Sequence, residues 1–488
     1  MRYVITLLLL PLLCTSTSTL LGINQTGGLR AQRMLPTAEM GTMAEAIYQT
    51  IKDKHPFAFQ PEGLAALNVA RTQVLREVAK AMEGRDSLPY VEFAQLVSPL
   101  QQTTQCGHLI LEPYRDSLTD VRLRENYFDL HLMPIDSGAQ YVLTKGIRTS
   151  TDTISSGAFV RMVNGISIGS LVDQLSYFTG LNDQGNNYAS KALTARAFSL
   201  PYQRYYGLQD SLQLVIDRGD GTAENHVFYP RHRPWKIPKK TVGDINDVLQ
   251  FKLSDDGSSG ILSIRSFSVL EFNNGNYFKF IRSVMEELNG KNINQLVIDL
   301  RNNTGGNSKR INYLFSYLTD RKFQFCERAV FTGPTKSVAG ESTKDSKRRA
   351  NGAVTKRERR LQKALTKQLK PKKSDVRFNG KVAVLINEIS FSASGMFARF
   401  VQGSGRGILV GTTSGASANI TYGASTDDDR NYYGPQNDFR LRINSIMLEL
   451  PHPIPGNVTP DVSVTPTPEG LRAGKDEILE AALSALQN

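Results

Sequence analysis

Between Lys381 and Gly403 an apolar run, Lys381-Val382-Ala383-Val384-Leu385-Ile386, enters Asn387-Glu388-Ile389-Ser390-Phe391-Ser392-Ala393-Ser394-Gly395, and an apolar helical pattern opens with Met396-Phe397-Ala398. A strand that feeds a helix through small hydroxyl residues can carry nucleophilic chemistry. At a helix N-terminus, unsatisfied N–H groups and the positive dipole end favour the anion formed when a hydroxyl attacks a carbonyl. The same residues also suit plain helix capping, because Ser prefers the N-cap position. The segment is not a G-x-S-x-G elbow, since Ser390 and Ser394 stand at the glycine positions around Ser392. A second segment, Val297-Ile298-Asp299-Leu300-Arg301-Asn302-Asn303-Thr304-Gly305-Gly306, runs from a strand-like stretch into a polar turn. Paired glycines there let backbone N–H groups face a cleft with no Cβ in the way, as an oxyanion requires. A simple left-handed turn after a strand has the same composition.

The elements that must hold these segments alternate. From residue 245 onward, strand-like runs at 260–264, 295–300, 381–386 and 407–411 are interleaved with helical patterns at 277–288 and 311–318. Alternation of this kind predicts a mainly parallel sheet covered by helices. Residues 123–234 instead show short apolar runs cut by Gly, Asn and Asp, with Asn164-Gly165 after residues 158–163 as a hairpin turn. Residues 36–100 are helical in pattern, with Leu64, Leu67, Ala70, Val74 and Val78 on one face.

Charge and cysteine usage narrow the function classes. Met1-Arg2-Tyr3 precedes an apolar run ending at Leu13, and Cys14-Thr15-Ser16 breaks it, the layout of a signal peptide at residues 1–18. The run falls short of the roughly 20 residues that cross a bilayer. An exported protein is expected, periplasmic or extracellular, and Cys14 offers a membrane lipid anchor. Cys106 and Cys326 then remain, too few for a disulfide scaffold or a cysteine-built zinc site. They read as two buried thiols, with pairing open in an oxidising compartment. The net charge of +12 is concentrated in residues 344–373, where thirteen Lys or Arg face Asp345 and Glu358. That segment reads as a basic surface insertion within residues 335–377, partly helical, and without an aromatic residue to stack on bases it argues against a nucleic-acid partner. No His-Glu-x-x-His motif is present, so no metal or cofactor is expected.

Taken in order, Ile298 to Gly306, then Ser390-Phe391-Ser392-Ala393-Ser394, then Val410-Gly411-Thr412-Thr413-Ser414-Gly415, the chain resembles the core of the S41 serine peptidases, the C-terminal-processing and tricorn-core peptidases. Residues 260–267, Pro460-Asp461-Val462-Ser463-Val464 and residues 476–483 resemble further parts of that core. Residues 93–96 leading into Cys106-Gly107-His108 are similar to the helical domain and Gly-His motif of tricorn-like members, and residues 157–165 with 170–177 to a PDZ-like domain. The resemblance implies an α/β multidomain protein. It would comprise an N-terminal helical domain at 36–118, a β-rich PDZ-like module at 120–235 and an α/β, ClpP/crotonase-like catalytic core at 245–488.

It also implies roles. Ser392 matches the nucleophile, Ala393 supplies one oxyanion-hole N–H, and Gly305 or Gly306 the other. The sequence departs from the family where Gly395 replaces a common Glu and in the basic insertion. The family's Glu near the closing strand has no clear counterpart, and Glu449 is the nearest carboxylate that could orient a histidine. In the lysine branch the base would fall on Ser417, and no Lys occurs between Lys381 and Lys475. A serine hydroxyl cannot take the proton at neutral pH, and arginine stays charged. Among six histidines, His108 alone follows the glycine of the Gly-His motif, and the resemblance makes it the general base of the histidine-type, tricorn-like branch. The expected activity is endopeptidase hydrolysis of peptides or unfolded proteins through an acyl-enzyme. The alternative is a non-catalytic peptide-binding protein on the same scaffold, which fold alone does not separate from it.

Overall fold

A computed structural model describes residues 34–113, 126–177, 179–180, 183–185, 187–232, 245–268, 274–331, 356–423, 431–433, 439–444 and 446–487. The signal segment with Cys14 and residues 335–355 of the basic insertion lie outside the described residues.

Three helices, Thr37–Lys54, Pro61–Met82 and Tyr90–Thr103, open the described chain. The second starts with Pro at its first turn, where the missing N–H costs nothing. Met40, Met43, Ile47 and Ile51 recur at helical spacing and are buried with Leu67, Val74 and Val78. An antiparallel sheet follows in the order Ala223–Phe228, Leu212–Asp217, Phe159–Val163, Gln140–Leu143, Leu132–Ile135. Asn164 and Gly165 both take positive φ, as the tight turn into Ile166–Ser167 requires. The helices and this sheet bury their apolar faces in one shared cluster, so the two segments that read separately in the sequence are packed together.

The second sheet runs Leu249–Leu253, Ser259–Ile264, Gln295–Asp299, Lys381–Ile386, Ile408–Gly411, Val462–Ser463. Its first pair is antiparallel and every later pair parallel, with Ile261 beside Val297 and Val297 beside Ala383. Both faces are covered. Leu262, Leu296, Ile298, Val384 and Leu409 pack with the helices Asn274–Gly290, Ser308–Ser316 and Ala393–Gly403. Ile261, Val297, Ala383, Leu385 and Val410 pack with Ile478, Ala482 and Leu486 of the helix Glu477–Gln487. Strands buried on both faces read as continuous apolar runs, and each fully buried Leu or Ile contributes on the order of 2 kcal/mol.

One pairing joins the two halves. Ile110–Pro113, just after the third helix, lies antiparallel to Phe439–Arg442, with Leu111 opposite Leu441, and Arg440 is ion-paired with Glu112. The described part of the basic segment is also tied down. Its helix Lys356–Leu365 packs Leu361 and Leu365 on the core, Gln362 Nε2 donates to Ala329 O at 3.2 Å, and Lys372 Nζ lies 4.2 Å from the Tyr313 ring centroid. The surface insertion is, over this stretch, helical and docked. Cys106 and Cys326 are buried free thiols. No helix among the described residues is long and apolar enough to cross a membrane.

Candidate active site

Two turns at the C-terminal ends of neighbouring parallel strands are laced together. Asn387 Oδ1 accepts from Asn302 N at 2.8 Å, and its Nδ2 donates to Asn302 Oδ1 at 3.0 Å. Ser390 Oγ donates to Leu300 O at 2.8 Å, and Phe391 N donates to Asn303 O at 3.0 Å. Asn303, fully buried, accepts from Gly305 N at 2.9 Å and donates to Ile264 O at 2.9 Å. All but the Asn303–Gly305 bond join segments distant in the chain, and together they fix the serine turn against the glycine turn.

Ser392 is the residue immediately before the helix Ala393–Gly403. Its backbone sits at φ 54°, ψ −121°, and its side chain makes no capping hydrogen bond. The capping interpretation of this serine therefore fails. A non-glycine residue in this region stores on the order of 1–3 kcal/mol of strain, which persists only where the surroundings impose it. Ser392 is half-buried among buried neighbours, so its hydroxyl is reachable. The glycines explain the close fit. Gly305 has φ 102°, and a Cβ there would lie 2.7 Å from Ser392 Cβ and 2.8 Å from Ala393 N. Gly306 has φ 142°, and a Cβ there would lie 2.2 Å from the Phe267 carbonyl carbon. The Gly305 N–H is spent on Asn303 within its own turn.

His108 lies on the turn between the third helix and the strand Ile110–Pro113, closed by Leu109 N donating to Cys106 O at 3.1 Å. Its ring stands 4.5 Å, centroid to centroid, from that of Phe391, the residue before Ser392. The structure thus brings a half-buried histidine from the N-terminal part against the serine turn of the sheet. Asp183 holds the histidine's turn in place. Its Oδ1 accepts from Gly107 N at 2.8 Å and its Oδ2 from Ser417 N at 3.3 Å. Burial pushes the Asp183 carboxyl up to about 7, against the pull of those two N–H groups. Burial, and then Asp183, also drive the Cys106 thiol well above its ordinary value. His55 is packed nearby, its ring 4.8 Å from that of Tyr422, and burial, with the nearness of His108, lowers it to about 3.

Glu449 is elsewhere. It ends the strand Ile446–Glu449 opposite Arg328, whose guanidinium pairs with it and holds its carboxyl below the usual range. The carboxylate set beside His108 is Asp183, not Glu449. Arg301 bridges Asp299 and Asp476, tying the strand end to the C-terminal helix.

Residues 258–464 match the family model of peptidase family S41. That stretch, the parallel-sheet core with its serine turn, is an S41 peptidase domain. Among solved structures, mature CPAF is similar at 15% identity over 92% of this chain and 96% of that one, with a TM-score of 0.61. Mature CPAF complexed with lactacystin gives 15%, 92%, 98% and 0.60. At these identities the likeness is one of fold, a mixed assembly of helices and sheets. No curated protein sequence matches.

This S41 peptidase is a serine peptidase, a hydrolase, and its departure at Gly395 has a packing reason. A Cβ at Gly395 would lie 2.1 Å from Ala416 Cβ, which leaves no room for a glutamate. Sequence reasoning missed Asp183, Asn303, Asn387 and His55. Asp183 sits in a segment whose Asn-Asp-Gln-Gly composition signals only a turn, and its contacts to residues 107 and 417 cross long stretches of chain.

Proposed function

We propose that this S41 peptidase is an exported endopeptidase that cleaves peptide bonds of peptides or unfolded proteins through an acyl-enzyme on Ser392, with His108 as general base. The observation that carries the reading is the packing of the His108 ring against Phe391, beside a Ser392 held on strained backbone with its hydroxyl uncommitted to capping. Ser392 Oγ attacks the carbonyl carbon as His108 takes its proton, and the negative oxygen is met by the N–H groups of Ala393 and Gly306. The tetrahedral species expels the amine, which receives the proton from His108. Water then attacks the acyl-enzyme, giving its proton to His108, and the acid leaves as Ser392 Oγ is reprotonated. Asp183 acts through position, by fixing Gly107 and so the turn that carries His108. The antiparallel sheet with the helix Ile168–Ser176 serves as a PDZ-like module that presents substrate. The N-terminal segment directs export, which N-terminal sequencing of the active protein checks.

The test is hydrolysis of denatured casein together with labelling by a phosphonate fluoride. Ser392→Ala should lose both. His108→Ala should lower kcat by about 10³-fold or more, as loss of a triad member does in other serine peptidases. Near-normal kcat in His108→Ala sinks the assignment of the base, and hydrolysis that survives Ser392→Ala sinks the assignment of the nucleophile.

A further inference from the structure

His108 shares its surroundings with a thiol and a carboxylate. One donor atom each from Cys106, His108 and Asp183, the Sγ, a ring nitrogen and a carboxylate oxygen, lie within 4.8 Å of one another. Thiolate, imidazole and carboxylate together are a donor set that zinc takes, at bond lengths of about 2.0–2.3 Å. In a tetrahedral site that sets ligand atoms roughly 3.3–3.8 Å apart, so the three side chains need to close by about 1 Å. The backbone already holds them. Cys106 and His108 stand on one closed turn, and Asp183 is fastened to Gly107 between them. Each carboxylate oxygen of Asp183 accepts one N–H bond and retains a lone pair for a cation.

Charge favours the same occupant. With Cys106 as thiolate and Asp183 ionised, a divalent cation makes the cluster neutral, whereas either anion alone in that interior is costly. A cavity of about 120 Å³ lined by Cys106, Gly107 and Gly180 adjoins the cluster. His55 is not a further ligand, since its Nδ1 accepts from Phe57 N at 3.3 Å, which leaves the proton on Nε2. Three protein ligands leave a fourth position for water.

We propose that Cys106, His108 and Asp183 bind a thiophilic divalent cation, Zn²⁺ above all, and that its binding switches hydrolysis off. The thiol proton leaves to solvent as the Zn–S bond forms. The imidazole lone pair goes into a Zn–N bond and no longer takes the Ser392 proton. This inhibitory half rests on His108 as general base, while the binding half does not depend on it.

The experiment has two arms. CoCl₂ titrated into the Ser392→Ala protein should give a saturable thiolate-to-cobalt absorption band at one ion per chain, displaced by ZnCl₂. The band should be absent when Cys106→Ala or Cys106→Ser is added, with circular dichroism showing that either protein is folded. No band, or a band that survives loss of the Cys106 thiol, overturns the site. In the second arm ZnCl₂ should inhibit casein hydrolysis by the parent protein, with EDTA restoring it. Cys106→Ala should raise the half-inhibitory zinc concentration at least about tenfold, while its zinc-free rate stays within about threefold of the parent. A Cys106-dependent band without inhibition overturns the switch if His108→Ala is inactive. If His108→Ala retains hydrolysis, it is the assignment of the base that has failed.

Discussion

Replacing Gly305 with alanine should cripple hydrolysis while the chain still folds. The new Cβ would lie 2.7 Å from Ser392 Cβ, 2.8 Å from Ala393 N and 2.8 Å from Phe391 O, where ordinary contact begins at 3.4 Å. These neighbours are backbone atoms and one Cβ, on a turn pinned by Ser390 to Leu300 and by Phe391 to Asn303, so no flexible side-chain end can yield. One turn must retreat by about 0.7 Å, carrying the nucleophile or the Ala393 N–H away from its place. A misplacement near 1 Å costs on the order of 10²-fold in rate, and we expect kcat/KM to fall by about that factor. The left-handed backbone, at φ 102°, adds about 1–2 kcal/mol for alanine, and the crowding about 1–3 kcal/mol, so urea unfolding should also shift. The assay is kcat/KM on a short uncharged peptide ester, with phosphonate titration counting intact sites. Gly84→Ala is the control, because Gly84 has φ 68° and nothing within 4 Å of a notional Cβ. It should lose some stability and no activity. A Gly305→Ala protein within about threefold of the parent in kcat/KM would refute the argument that this glycine seats Ser392.

Restoring the family's glutamate by Gly395→Glu should destabilise the protein by about 3 kcal/mol or more, since its Cβ alone would fall 2.1 Å from Ala416 Cβ; a melting temperature equal to the parent's would contradict this packing. Arg301→Leu should cost about 3 kcal/mol in urea unfolding, because Asp299 and Asp476 lose their shared partner. A midpoint unchanged by that substitution would show the bridge to be dispensable. His55 is lowered to about 3 in the folded protein, so below its ordinary 6.5 the unfolded chain binds the proton first. The stability of the parent relative to His55→Phe is therefore fully present above pH 6.5 and lost as pH falls towards 3. Between pH 7 and 4.5 the loss should be about 2–3 kcal/mol, read as the difference in urea unfolding free energies. Asp183, pushed up to about 7, slopes the other way between its ordinary 3.8 and 7, which is why the comparison is made against the variant. A difference independent of pH would show that His55 is not held neutral.

The parallel core was legible because its strands are buried on both faces and so appear as unbroken apolar runs, while their helices keep an amphipathic period. The serine turn and the glycine turn were legible as local patterns, because a strained helix start and a Cβ-free close approach demand particular residue types in a short window. The basic segment showed its helix but not its docking, since its charge hides the few contacts made by Leu361, Leu365 and Gln362. Glu449 was chosen by its nearness in sequence to the closing strand, and the cross-strand neighbour Arg328, 121 residues away, claims it instead.

What the sequence determined by itself is therefore local: the strand-to-serine turn, the glycine turn, the helical periods and the lack of any lysine between Lys381 and Lys475. Tertiary structure decided how distant segments come to lie beside the serine turn. Pairing of Ile110–Pro113 with Phe439–Arg442 carries His108 across more than half the chain to Phe391. Asp183 reaches both Gly107 and Ser417 through contacts whose sequence separations are 76 and 234. Such contacts leave no periodic trace in the chain, because a hydrogen bond between distant turns constrains one residue at each end and neither residue's neighbours.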